Sequence, residues 1–193
     1  IFSKNPTVLM VTFGMNDSGY YEYNGDNAKE FGEQKYQESI KNFQQMEKRF
    51  KELPHTRIVM TGTSPYDETA QIKDNTVFKK KNETIKRIIE YQRESAARNG
   101  WEFTDWNAPM VAINQELQQK DPSFTLCGND RIHPDNDGHM VMAYLFLKAQ
   151  GFAGKDVANM EINANKKQAV KAEGCTISNI KKIGKDISFD YLA

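Results

Sequence analysis

No stretch of this sequence approaches the ~20 consecutive apolar residues that a membrane-spanning helix requires, so a helical span is excluded. Net charge is missing too. The 26 Lys+Arg balance 26 Asp+Glu, and nothing in that balance favours nucleic acid or an anionic membrane surface as a partner. Cysteine is scarce: Cys127 and Cys175 are the only two, and their spacing fits no zinc or redox motif. One bridge between them is open, although a small buried hydrophobe is the commoner role. No Gly-rich phosphate loop follows any apparent strand, which disfavours a nucleotide binder on an α/β sheet. Internal repeats and low-complexity segments are also lacking.

What is present suits a soluble globular chain. Its 193 residues, with 38% hydrophobic and 27% charged content, suffice for one compact α/β domain and are too few for two. The first residue is Ile1 rather than Met, and the chain ends on a strand-like ISFDYLA. It reads as a piece of a longer protein, so the lack of a signal peptide says nothing about export.

Residues 7–13 (TVLMVTF) form a continuous apolar, β-branched run, the pattern of a strand covered on both faces. A turn-prone GMNDSG follows. Residues 34–53 carry an apolar stripe through Tyr36, Ile40, Phe43, Met46 and Phe50, which predicts a helix ended by Pro54. A second buried strand is expected at 57–61 (RIVMT), then a loop over 62–74. A long helix over 76–99 has Ile85, Ile88 and Ile89 inside and Gly100 as its left-handed cap. A third strand at 101–106, a short helix at 108–119 and a helix at 138–150 complete the series. Strands alternating with helices predict a parallel sheet with right-handed crossovers, and ligands then sit beyond the carboxyl ends of the strands. After Gly151 the pattern changes to short strands at 157–162, 168–171, 176–182 and 187–191, a β-rich appendage. The expected organisation is therefore one domain over 1–151 with a β-rich C-terminal extension over 152–193.

Two loops carry chemistry. In Asp130-Arg-Ile-His133-Pro134 a carboxylate three residues before a histidine can hold Nδ1–H and fix the tautomer. Nε2 is then free to take a proton from a nucleophile. Such a spacing also arises by chance, in surface loops where the Asp only caps a turn. In Gly14-Met-Asn16-Asp17 an amide at the end of a strand can donate N–H to the oxygen of a tetrahedral intermediate. Gly14 permits the sharp turn, and Asp17 suits a loop brace. Taken alone, Asn16 is equally an ordinary turn residue.

Together these two loops resemble the SGNH/GDSL hydrolase family. GMND matches its Gly-x-Asn-Asp block and DRIHP its Asp-x-x-His-Pro block, in the right order, across residues 7–150. The resemblance implies a flavodoxin-like three-layer α/β/α fold and ester hydrolysis through an acyl-enzyme. It makes His133 the general base, Asp130 its orienting carboxylate and Asn16 the oxyanion donor, with Gly14 and Asp17 supporting the loop. It implies no cofactor and no metal, a small-molecule or carbohydrate ester such as an acetylated polysaccharide as substrate, and a secreted or periplasmic setting. The family's Gly-Asp-Ser nucleophile block and its oxyanion glycine block, however, should precede residue 7, where only six residues exist. The first βα units are expected in a segment missing from this chain, and a strand supplied by it should cover residues 7–13; a solvent-exposed edge there would count against this.

Ser18 and Ser64 are poor substitutes for the missing nucleophile: Ser18 adjoins its own oxyanion donor, and Ser64-Pro65 reads as a loop opening. Tyr20 and Tyr21 are candidates for stacking on a sugar ring, or for packing the loop onto the sheet. His139, with Asp135 and Asp137, reads as the capped start of a helix rather than a metal site, and Lys79-Lys80-Lys81 as a solvated helix face. The alternative function is a non-catalytic carbohydrate-binding or scaffold module on the same fold.

Overall fold

The computed structural model describes residues 2–73 and 76–193; Asp74, with which the expected 62–74 loop closes, lies outside them. Backbone contacts divide the chain into two compact units, one ending at Gly151 and the other comprising Phe152–Ala193.

The first unit is built on three parallel strands in the order β1–β2–β3: β1 (Val8–Phe13), β2 (Arg57–Gly62) and β3 (Glu102–Asp105). Val8 pairs with Arg57 and Phe13 with Gly62, while Val59 pairs with Glu102 and Gly62 with Asp105. Helices α1 (Ala28–Phe50) and α2 (Lys81–Asn99) make the two crossovers. Both steps move across the sheet in the same direction, so the right-handed rule puts both helices on one face. Val11, Phe43, Phe50, Ile58, Met60 and Ala96 form the core there. Helices α3 (Asn107–Leu117) and α4 (Asn136–Ala149) enclose another cluster, of Trp106, Met110, Leu126 and Cys127. The chain is thus mixed α/β around a parallel sheet.

The largest departures from the sequence expectation are two helix starts and the placement of β1. Helix α1 starts at Ala28, and its first turn is held by Ala28 and Phe31 packing against the Tyr23 cluster rather than by a continuation of the apolar stripe. Helix α2 starts at Lys81, since Lys80 adopts a left-handed φ of 70° that a continuing helix cannot include. Gly100, by contrast, caps α2 as expected, with φ 67° and its N–H on Ala96 O. Strand β1 is the third case: it lies at the edge of the sheet rather than between two covered faces. Val8, Met10 and Phe13 are more than two-fifths exposed and only Val11 is buried. An open apolar hollow of about 420 Å³, lined by Leu9, Val11 and Phe50 among others, runs beside it. Among the described residues no strand pairs with the outer side of β1, so the strand expected to cover residues 7–13 is not supplied here, and this exposed edge is the outcome that counts against that expectation.

The second unit holds two antiparallel hairpins, β4 (Asn159–Asn163) with β5 (Gln168–Glu173), and β6 (Thr176–Ile183) with β7 (Asp186–Leu192). Cys127 and Cys175 are both free thiols. Among the described residues no helix is long and apolar enough to cross a membrane.

Candidate active site

The turn after β1 is locked from several sides. Gly14 has φ 134°, and a Cβ there would stand 3.2 Å from Thr63 Cγ2, so the position favours glycine on both counts. Its N–H donates to Asp17 Oδ2 at 2.8 Å, which makes Asp17 the loop's brace. Ser18 N–H donates to Gly14 O and Gly19 N–H to Asn16 O. This leaves Asn16 exposed at the tip.

Beneath the loop sits Lys81, the first residue of α2, fully buried. Its Nζ donates to Met15 O at 2.8 Å, Ser18 Oγ at 2.6 Å and Gly19 O at 2.5 Å, and it lies 3.9 Å from the centre of the Tyr20 ring. Burial pushes this lysine down to about 7, against the pull of the Asp17 and Glu68 carboxylates. Lys81 is therefore not part of a solvated face, and a run of three lysines offered no signal for it. Ser18 is saturated: its hydroxyl donates to Met15 O at 2.8 Å, its oxygen accepts from Lys81, and it has no exposed surface. A Ser–Lys nucleophile needs a path to substrate, which this serine lacks. Ser64 is buried as well.

The second loop is organised by Asp130. One carboxylate oxygen accepts from the backbone N–H groups of Ile132 and His133, both at 2.9 Å. The other meets His133 Nδ1 at 2.5 Å. Burial alone would raise the Asp130 carboxyl, but those three hydrogen bonds outweigh it and hold the group below the usual carboxylate range. The His133 side chain is 81% exposed, so the ring nitrogen opposite Asp130 faces outward. Arg131, between them, is buried with a left-handed φ of 67°. Its Nη1 donates to Asp67 O and Ala70 O, and its carbonyl accepts from Asp67 N–H. These bonds strap the loop onto the segment that follows β2. Gly138 completes the support, since a Cβ there would lie 2.2 Å from Leu126 O.

Both loops end on one cluster. Met15, Tyr20 and Ile132 pack against Tyr23, Tyr66, Phe78, Ile85 and Ile89. The Tyr20 hydroxyl donates to Asn16 Oδ1, and its pKa is raised by burial and then by the Asp130 and Asp17 charges. The loops that carry Asn16 and the Asp130–His133 pair thus both rest on this cluster, through Met15 and Tyr20 on one side and Ile132 on the other. Of the two tyrosines, Tyr21 offers the open ring, 79% exposed and set edge-on to Phe78. Asp135 caps α4 by accepting from Gly138 N–H, and His139 lies in that helix's first turn. Among the described residues no three His, Cys, Asp or Glu side chains converge as metal ligands would. Burial pushes the Cys127 thiol up to about 12, which makes it inert.

The model of the GDSL-like lipase/acylhydrolase family matches residues 2–141. The chain belongs to that family. Its fold is similar to solved structures at low identity. A catalytic mutant of Axe2, an acetylxylan esterase from Geobacillus stearothermophilus, superposes with a TM-score of 0.58 and 18% identity. The match covers 79% of this chain and 63% of that one. Another Axe2 variant, described as an acetyl-xylooligosaccharide esterase from Geobacillus, gives 0.59 and 18% over 81% and 64%. LAE5, an alpha/beta hydrolase from the metagenome of Lake Arreo, Spain, gives 0.51 and 19% over 80% and 64%. The GDSL-like chain thus spans less than two thirds of the length of these structures. No curated protein sequence matches it.

Proposed function

We propose that this chain supplies the acid–base and oxyanion half of a serine carboxylic ester hydrolase acting on acyl groups, acetyl esters of carbohydrates in particular. The observation that carries the proposal is the Asp130–His133 pair at 2.5 Å, its ring exposed, above the same packed cluster as Asn16. The serine belongs to a segment outside this chain. That segment pairs with the free side of β1 and fills the apolar hollow beside it. Two of the Axe2 structures are catalytic mutants of an aspartate and of a histidine three positions apart, a third replaces a serine, and the Asp–His spacing is that of Asp130 and His133.

In the reaction the serine oxygen bonds to the ester carbonyl carbon as its proton passes to His133 Nε2. Asp130 holds the resulting imidazolium through Nδ1–H. The carbonyl oxygen becomes an oxyanion and accepts a hydrogen bond from Asn16 Nδ2. Collapse breaks the bond to the alcohol, which leaves with the proton from His133. Water then attacks the acyl-serine, losing its proton to the same nitrogen; the acyl–oxygen bond breaks as that proton returns to the serine oxygen, and the acid is released.

A serine-reactive phosphonate applied to the intact gene product, followed by mapping of the modified peptide, tests this. Labelling is expected on a serine outside the present chain and should be abolished or much slowed in His133→Ala; unchanged labelling removes His133 as base. Asn16→Ala should cost about 10²–10³-fold in turnover, and a loss under about tenfold removes Asn16 from the mechanism. The second reading, a non-catalytic carbohydrate-binding module, draws on the burial of Ser18 and Ser64. It is favoured instead if the intact product binds carbohydrate, takes no label and turns over no ester.

A further inference from the structure

We infer that Lys81 and Tyr20 form a positioning relay that fixes the side-chain amide of Asn16. The inference rests on the oxyanion role proposed for Asn16. The loop tip has no regular structure of its own, so something must hold an exposed amide in one orientation. The three acceptors of Lys81 Nζ, namely Met15 O, Ser18 Oγ and Gly19 O, flank Asn16 on both sides. Below about pH 7, where Lys81 is an ammonium, it has three donors and no acceptor, and these contacts use all of them. The same nitrogen lies over the Tyr20 ring and holds it by a cation–π contact.

Tyr20 then passes the constraint outward. Its hydroxyl donates to Asn16 Oδ1. With that oxygen engaged, the amide's two N–H groups are turned away from the Tyr20 hydroxyl and are left for another acceptor. Burial and the Asp130 and Asp17 charges raise the Tyr20 pKa, so the phenol stays protonated and stays a donor. The groups that face Lys81 are the Asp17 and Glu68 carboxylates and the rings of Tyr20 and Tyr66. Its ammonium therefore has anionic company without a direct carboxylate contact that would draw it off the loop. Neither residue touches the reacting atoms. Both act through Asn16.

The test uses the intact gene product and two variants, Tyr20→Phe, which deletes only the hydroxyl, and Lys81→Met. Two things are measured: the NMR signals of the Asn16 side-chain amide, and kcat with KM on an acetyl ester. Each variant should shift the Asn16 amide signals and lower kcat about tenfold, leaving KM within about twofold, as expected for a misaimed transition-state donor. The double variant should lose no more than the worse single one, because both act through one amide. Asn16 signals unmoved in Tyr20→Phe overturn the relay, as does a double variant whose loss is the product of the singles. Should Lys81→Met fail to fold, Tyr20→Phe decides alone. A wild-type product with neither ester turnover nor phosphonate labelling overturns the esterase reading instead, and the amide signals still report on the relay.

Discussion

The two loops that make the site are held by opposite strategies. The turn carrying Asn16 is fixed from below by a side chain more than sixty positions away, the buried Lys81, and from the side by Tyr20. The turn carrying His133 largely organises itself: Asp130 reaches its own neighbours' N–H groups and the imidazole within three residues. Arg131 hydrogen-bonds it to the segment after β2, and Ile132 packs on the shared apolar cluster. Local support leaves a pattern in the sequence and long-range support does not. A group that must hold a proton-transfer geometry can be stiffened by a short, dense net, whereas an amide tip needs an external clamp.

The largest expected effect breaks the self-contained loop at its chemical end. Asp130→Asn keeps an oxygen for the two backbone N–H groups but presents N–H to Nδ1, which forces the proton onto Nε2. Turnover of the intact product should fall about 10⁴-fold with the fold intact; circular dichroism and kcat together check this. A smaller effect comes from cutting the long-range strap that Arg131 makes. Arg131→Ala strips Asp67 O and Ala70 O of their charged donor and should cost about 2 kcal/mol of stability. That cost is read as a lower urea midpoint at unchanged slope.

The gentlest probe is pH, and it separates the loops by the window in which each acts. Lys81 is held down to about 7 by burial, while an unfolded lysine titrates near ~10.4. Between those values the unfolded chain binds the extra proton, so this group makes stability rise with pH across the window and adds no slope below about pH 7. Lys81→Met should remove that rise in urea titrations at about pH 6, 8 and 9.5. Asp130 acts with the same sign in a lower window: its carboxyl is held below the usual carboxylate range, so its contribution is complete above the unfolded value near ~3.9 and is lost as pH falls through the folded value.

The same contrast explains what could be read without coordinates. The parallel βαβ order, the Gly100 cap and the pairing of Asp130 with His133 all follow from short-range pattern: β-branched runs, a glycine after a stripe, a three-residue spacing. Asp17's bracing of Gly14 belongs to the same class. What escaped was non-local. A lysine in a run of three looks like solvated charge, and only the crossing of α2 under the first turn buries it. Arg131 looks like a spacer between Asp130 and His133, yet its guanidinium threads into the core toward Ala70. The position of β1 was misjudged for a related reason. An apolar β-branched run reports what a strand is suited to contact, not what lies beside it.

That bare rim of β1 has a practical meaning for anyone handling this polypeptide by itself. Its outer row of amides and carbonyls, flanked by Val8, Met10 and Phe13, is adhesive toward any other extended chain, including another molecule of the same kind. Refolding in isolation becomes a race between closure of one molecule and zippering of two, which dilution wins and concentration loses.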